Sequence, residues 1–354
     1  MAEDQGKKNN CPDYTFPEQT IFRQVKNFPF FGYLHKLFPE VNFFVTEKRR
    51  PLMIICETVN ICNNDCIICA HNKMTRKKET MSLELFEKVM QDYCEMGGGK
   101  LSLTPMIGDI FLDKYLIDRL KILKKYPKIT GLSVTTNAVL SDRYNDLELK
   151  FLLSCFERFH ISIYGLDEEE YQTMTQKSHY TRMLLNVAKI VELADNKNNI
   201  VFGFRFLKSH TDDEIRIWIH EHFKHDIQFF HTRTYSNWGN QIDTSKKLPF
   251  DGEWIPLSEN TTQCLVPIFA CQIFSNGDVS FCACPDFDIN NELKLGNIRH
   301  QHLINIYNSD KCERLFNFYR YMPDFCKRCT FFRPISDLPN YAITFDNPIN
   351  FIGG

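Results

Sequence analysis

Cys62, Cys66 and Cys69 are the residues most able to do chemistry in this chain. They read C-x3-C-x2-C and follow the apolar run Leu52–Cys56. Three thiolates within eight residues can reach one soft metal centre. Zinc fits poorly, because no fourth ligand lies at zinc-finger spacing. An iron–sulfur cluster fits better, since thiolates are its usual ligands. A four-iron cluster on three cysteines keeps one iron without a protein ligand. Such an open position is where a catalytic metal site takes substrate.

A second set lies near the other end of the chain. Cys264 is followed by two alternating runs, Gln272–Ser275 and Asp278–Phe281, joined by Asn276-Gly277, and then by Cys282. Asn-Gly between such runs predicts a hairpin with a two-residue type I′ turn. An amphipathic stretch over Leu303–Tyr319 leads to Cys326-Lys327-Arg328-Cys329, giving C-x12-G-x4-C, a gap of 43 residues, and C-x2-C. Cys271 and Cys284 are spare thiols nearby, so the first ligand is open between Cys264 and Cys271. A zinc site on four cysteines is the rival reading. Cys11, Cys56, Cys94, Cys155 and Cys312 read as core or surface thiols.

The elements that must hold these residues follow from periodicity. Strand runs at Leu52–Cys56, Lys100–Leu103, Leu132–Thr136, Phe159–Tyr164, Val201–Leu207 and Ile227–His231 alternate with helix runs. The helices are expected over Ser82–Glu95, Asp113–Tyr126, Asp142–Cys155, Tyr180–Ala194 and Asp212–Phe223, with Ser82, Asp113, Asp142 and Asp212 as N-caps. This alternation predicts a parallel sheet with right-handed crossovers, two units short of a full (β/α)8 barrel. The first cysteines fall just after strand one, at the carboxyl end where sites of such folds lie.

The C-x3-C-x2-C motif in that place resembles the radical S-adenosylmethionine (SAM) superfamily. In that family the open iron chelates SAM, and reductive cleavage yields a 5′-deoxyadenosyl radical that abstracts hydrogen from a substrate. Further positions match. Met106-Ile107-Gly108-Asp109-Ile110 stands where the family often has Gly-Gly-Glu, and Thr136-Asn137-Ala138 resembles its Thr-Asn-Gly. Ile161-Ser162-Ile163-Tyr164-Gly165 resembles its Ser-hydrophobic-Asp-Gly. The resemblance implies SAM contacts from Gly108, Asp109, Asn137 and Ser162. It also implies one from Ile68, where relatives often place an aromatic residue against adenine. The later cysteines and Leu295-Gly296-Asn297-Ile298 resemble the family's SPASM/twitch auxiliary domain. No cysteine follows Cys329, which matches the one-cluster twitch type. The implied auxiliary ligands are Cys264, Cys282, Cys326 and Cys329.

The implied fold is α/β: a partial (β/α)6 TIM-like barrel with a small C-terminal α+β auxiliary-cluster domain. The implied domains are an N-terminal extension (1–50, a polar tail and a short helix or two), a core barrel (51–235), the auxiliary domain (236–335) and a tail (336–354). The implied cofactors are a SAM-binding [4Fe–4S] cluster, a second auxiliary [4Fe–4S] cluster and SAM. The implied activity is a radical SAM oxidoreductase that dehydrogenates a small polyol, sugar or aminocyclitol. A peptide- or protein-modifying maturase, a redox-neutral epimerase and a non-catalytic metal-binding protein are the alternatives. The substrate is thus a small molecule or a peptide, and the electron donor a flavodoxin or ferredoxin.

Bulk properties bound the remaining classes. A chain of 354 residues is long enough for two domains. The net charge of −2 gives no footprint for nucleic acid. No run of 18 apolar residues predicts a membrane span. The polar N-terminus lacks a signal-peptide core, so a cytoplasmic, reducing location is expected, where cysteines serve metals more than disulfides. The basic run Asn72–Lys78 reads as a solvated face or as a docking face for an acidic electron donor. Arg205 and Arg233 are candidates to point into the barrel toward an anionic or hydroxylated group, to bind the SAM carboxylate, or to be salt-bridged surface residues.

Overall fold

The structure, a computed structural model, describes residues 50–257, 264–316 and 321–334. The N-terminal extension apart from Arg50, and the tail over 336–354, lie outside the described residues. Six parallel strands form the core: β1 (Met53–Cys56), β2 (Gly99–Ser102), β3 (Ile129–Thr136), β4 (Arg158–Ile163), β5 (Ile200–Arg205) and β6 (Gln228–Thr232). Helices α1 (Leu83–Glu95), α2 (Leu116–Leu123), α3 (Asp146–Cys155), α4 (Glu168–Thr175), α5 (Tyr180–Leu193) and α6 (Asp212–Phe223) connect them. The chain is therefore mixed α/β with a parallel central sheet, of the partial TIM-like kind.

The auxiliary region does not form a detached layer. After short strands β7 (Thr234–Tyr235) and β8 (Glu253–Trp254) and helix α7 (Val266–Phe269) come β9 (Ala270–Ile273), β10 (Asp278–Ser280) and β11 (Lys294–Asn297). β9, β10 and β11 are antiparallel neighbours, and β9 lies parallel to β1. One nine-stranded sheet results, ordered β11-β10-β9-β1-β2-β3-β4-β5-β6. No helix among the described residues is long and apolar enough to cross a membrane.

Local details depart from the expected ones for identifiable reasons. Ser82 caps α1, its hydroxyl accepting from the Leu85 N–H. At α3 and α6 the caps are Asn145 and Thr211 rather than Asp142 and Asp212, each in a capping box with the glutamate three residues on. Helix α4 is absent from the expected set because Glu168-Glu169-Glu170-Tyr171-Gln172-Thr173-Met174-Thr175 carries little apolar periodicity. Its core-facing Glu170 is buried and accepts from the Leu207 and Lys208 N–H groups. The hairpin closes through three residues, not two. The Gly277 N–H donates to the Phe274 carbonyl and the Phe274 N–H to the Asp278 carbonyl, with Gly277 at φ +90°. That is a type I turn followed by a left-handed glycine.

Asp113 is not a helix cap but half of a buried ion pair. Its carboxylate meets the Arg119 guanidinium at 2.6 Å, with both side chains fully buried. Arg119 also donates to the Met81 and Ser82 carbonyls at the start of α1, so the pair locks α2 against α1. Breaking a buried pair costs about 3–5 kcal/mol because one charge is stranded. Asp113→Ala is therefore expected to lose about that much unfolding free energy in urea titrations. Loss of under about 1 kcal/mol would show that the pair does not hold these helices.

Candidate active site

Side chains at alternate strand positions point into the barrel, and near the carboxyl ends they line a cavity of about 360 Å³. Ile55, Ser102, Ser133, Ser162 and Arg205 come from β1 to β5, and Thr232 from β6. The loop after β1 adds Cys62, Cys66 and Cys69. The auxiliary region adds Ala283, Cys284, Pro285, Phe331 and Arg333 to the lining.

The three-cysteine loop is held from several sides. The Cys62 N–H donates to His71 Nε2 (3.2 Å) and the Cys69 N–H to the Cys66 carbonyl (2.9 Å). Asn137 Nδ2 donates to Asn63 Oδ1 (3.0 Å) and lies 3.8 Å from Cys62 Sγ. Asp109 fixes Asn137 in turn. Its carboxylate accepts from the Asn137 N–H, the Thr136 hydroxyl and the Phe111 N–H, and is 1% exposed. The carboxylate thus ties the loop after β2 to the end of β3. Gly108 precedes it, and a Cβ there would stand 2.7 Å from the Val59 carbonyl oxygen and 3.1 Å from that of Ile61. The glycine is what lets this loop approach the cysteine loop.

Burial pushes the thiols up: Cys69 to about 11, and Cys62 and Cys66 further in the same direction. Cys69 and Cys62 add to the rise at Cys66 as neighbouring charges. Three such thiols become thiolates only against a bound cation, so the donor set fits an iron–sulfur cluster.

The later cysteines sort into two places. Cys264, Cys282, Cys284, Cys326 and Cys329 lie close enough to perturb one another's ionisation. Cys271 is fully buried elsewhere, beside Cys56 and Cys312. Its backbone pairs with Ile54 on β1, and Ile54 faces the helices rather than the cavity. Of the two candidates for the first ligand, only Cys264 is with the others. Cys284 is both in this group and on the cavity wall.

Two families of model match the chain. One for the radical SAM superfamily covers residues 56–219, and one for the SPASM iron–sulfur cluster-binding domain covers residues 264–330. The chain belongs to the radical SAM superfamily. Its cofactors are accordingly SAM and a [4Fe–4S] cluster, with auxiliary iron–sulfur in the SPASM-type module. The GTP 3′,8-cyclase of Clostridium perfringens (strain SM101 / Type A) is 24% identical over 242 residues, 64% of this chain and 72% of that enzyme. That of Petrotoga mobilis (strain DSM 10674 / SJ95) is 25% identical over 161 residues, 45% of this chain and 48% of that enzyme. The match thus spans about half the length of the latter. BtrN in complex with AdoMet and 2-DOIA superposes with a TM-score of 0.54 at 20% identity, covering 80% of this chain and 94% of that one. Streptococcus suis SuiB bound to precursor peptide SuiA gives 0.57 at 14% identity, covering 79% and 70%. At those identities the likeness is one of fold.

Sequence reasoning passed over two residues of the site. Trp238 lines the cavity, and its indole N–H donates to the Ile68 carbonyl at 2.9 Å. Trp238, Gly239 and Asn240 all have positive φ, a conformation rare for tryptophan that usually serves a local purpose. The preceding Asn237 secures the turn, exchanging hydrogen bonds with Thr330 and donating to the Arg328 carbonyl. An aromatic residue just after a strand-like run was the available signal. Arg76 was grouped with the basic run but is largely buried, paired with Glu57 at 2.9 Å and donating to the Phe287 carbonyl. Lys73, Lys77 and Lys78 do stay exposed. Arg205 faces the cavity as expected. Arg233 does not; it donates to the Asp251 carbonyl at 2.7 Å.

Iron counting tests the sorting of cysteines. Cys264→Ala is expected to reduce the auxiliary iron of the anaerobically reconstituted protein, toward a loss of about four irons. Cys271→Ala is expected to keep all of it. The reverse result would exchange the two assignments.

Proposed function

We propose that this radical SAM enzyme oxidises a small hydroxylated molecule by two electrons, consuming one SAM per turnover. The observation that supports the reading is the shared cavity: the three-cysteine loop and the auxiliary module both line it. Cys62, Cys66 and Cys69 are the proposed ligands of the SAM-binding cluster. Cys264, Cys282, Cys326 and Cys329 are those of the auxiliary cluster. The backbone at Gly108, with Asn137, Ser162 and Ile68, makes the proposed SAM contacts, while Asp109 acts by holding Asn137. Trp238, bonded to Ile68, supplies the aromatic surface that position 68 lacks. When bound, SAM on the cluster supplies a hydrogen-abstracting radical.

The chain's own residues do the positioning. Hydroxyls of Ser102, Ser133 and Thr232 line the cavity, and such groups suit a hydroxylated substrate, accepting and donating at once. The cavity volume falls in the range of small-molecule sites, about 300–1,000 Å³. A substrate carbon losing hydrogen here must then lose one electron and the hydroxyl proton to become a ketone. Ala283 and Cys284 of the auxiliary module line the cavity, which supports an electron leaving through that module. The exposed lysines Lys73, Lys77 and Lys78 are the proposed docking face for a flavodoxin- or ferredoxin-type donor, steered by charge.

Cys284 favours one second reading. Its place on the cavity wall suits a thiol returning hydrogen to the substrate radical, which would make the reaction a redox-neutral epimerisation. The two readings differ in product. In deuterated water, a product lighter by two hydrogens with one SAM consumed is expected. An isomer carrying one carbon-bound solvent deuterium would transfer the role to Cys284.

The ligand assignment has its own test. Replacing Cys62, Cys66 and Cys69 together by Ala is expected to abolish 5′-deoxyadenosine formation while leaving about four irons per chain. Wild-type rates of 5′-deoxyadenosine formation in that variant would refute it.

A further inference from the structure

The charged side chains on the cavity wall are few. Among the described residues they are Asp109, Arg205 and Arg333. Asp109 is committed to three hydrogen bonds inside the protein. No other carboxylate on this wall stands ready to receive an ammonium group. The wall instead presents guanidinium groups and hydroxyls, and the Ser133 hydroxyl, 1% exposed, has no partner among the described residues.

Arg333 comes from the auxiliary module and is firmly placed by its backbone. Its N–H lies 3.5 Å from Cys264 Sγ, and its carbonyl accepts from the Leu265 N–H at 2.8 Å. The half-buried guanidinium lies 4.4 Å over the Phe331 ring and donates to the Phe332 carbonyl. Among the described residues no carboxylate pairs with it. Its remaining donors form a planar fork suited to a carboxylate or phosphate.

We propose that the substrate is an anionic hydroxylated molecule, carrying a carboxylate or a phosphate, and that Arg333 receives that group. The proposal rests on the reading that a hydroxylated small molecule reacts in this cavity, and it narrows that class. An aminocyclitol would bring ammonium groups to a wall with guanidinium groups and no available carboxylate. A sugar acid, sugar phosphate or nucleotide finds the complementary charge. The thiols of Cys264, Cys284 and Cys329 also feel Arg333, so balancing the auxiliary cluster's charge is the rival role for this residue.

Binding measured without turnover separates this proposal from the oxidation reading. The probes are glucose, glucosamine, glucuronate and glucose 6-phosphate, titrated calorimetrically into the anaerobically reconstituted full chain with SAM present. Glucuronate or glucose 6-phosphate is expected to bind at least about tenfold more tightly than glucose, and glucosamine most weakly. Whichever of the two anions binds more tightly tells carboxylate from phosphate. Arg333→Gln is expected to erase that advantage, and Arg333→Lys to keep part of it, with iron content reporting the integrity of both variants. Anionic sugars that bind no better than glucose would overturn the proposal, as would a preference for glucosamine. So would an Arg333→Gln protein whose anion preference is intact while its auxiliary-cluster reduction potential has moved, because Arg333 would then serve the cluster alone.

Discussion

Strand β1 is hydrogen-bonded on both sides, to β2 and to β9, and most of the site depends on this. It delivers the three-cysteine loop at its carboxyl end, and through β9 it carries the auxiliary hairpin. The two cysteine sets are thereby referred to the same four residues, Met53–Cys56. Glu57, the next residue, reinforces the junction. Its carboxylate is fully buried, takes both arms of the Arg76 guanidinium and accepts from the Ser275 hydroxyl on the hairpin. Burial raises the Glu57 carboxyl and Arg76 opposes that rise. Arg76 ends the segment running on from Cys69, and Asp288 of the auxiliary region accepts from the backbone N–H groups of Thr75 and Arg76. Strand pairing and ion pair therefore act at the same junction. A buried pair of this kind adds little net stability but penalises any arrangement that separates its partners, which suits two metal-bearing loops whose spacing must not drift.

The same logic explains why so many polar groups are buried near the cavity. Ser102 donates to Thr104, and Thr104 accepts from the Thr135 N–H, so the Thr104 hydroxyl joins the end of β2 to the backbone of β3. Asp109 and Asn137 separately link the end of β3 to the cysteine loop. A buried polar group without a partner costs about 1–3 kcal/mol, and among the described residues none pairs with the Ser133 hydroxyl beside the cavity. An interior designed only for stability would place apolar side chains there. Retained hydroxyls on the inward strand positions are what a ligand-binding interior requires.

The barrel was legible in the sequence because six short apolar runs alternate with amphipathic ones, and burial on both faces of a parallel sheet leaves that signature. The cysteine loop was legible because its ligands are close in sequence. Long-range pairings were not. Nothing local in Ala270–Ile273 announces that it joins β1. Yet this pairing decides between Cys264 and Cys271, since matching Cys271 to Ile54 aims its side chain at the helix layer. A shift of one residue would have reversed that. Arg76 was hidden for a similar reason: a basic run looks solvated until its one buried member meets a carboxylate from another strand. Trp238 and Arg333 reach the cavity from segments far from the barrel motifs in sequence, and only folding shows that they share it.

These placements divide the labour of the site. The residues proposed to hold SAM lie on loops after β1, β2 and β3 and on β4, within the stretch matched by the radical SAM model. The other charged and polar lining residues come mainly from β5, β6 and the auxiliary module, among them Arg205, Thr232, Cys284 and Arg333, and these are the ones proposed to meet a substrate. A shared radical generator can thus stay constant while the facing wall is exchanged. This is consistent with a fold shared by BtrN and SuiB, and with the general finding that function resides in sites grafted on folds. The auxiliary module then has two duties that cannot be separated by position. The backbone of Arg333 approaches the Cys264 sulfur, while its side chain faces the cavity. Under the proposed anion-binding role of Arg333, a change in substrate charge at this wall would act beside the auxiliary thiols.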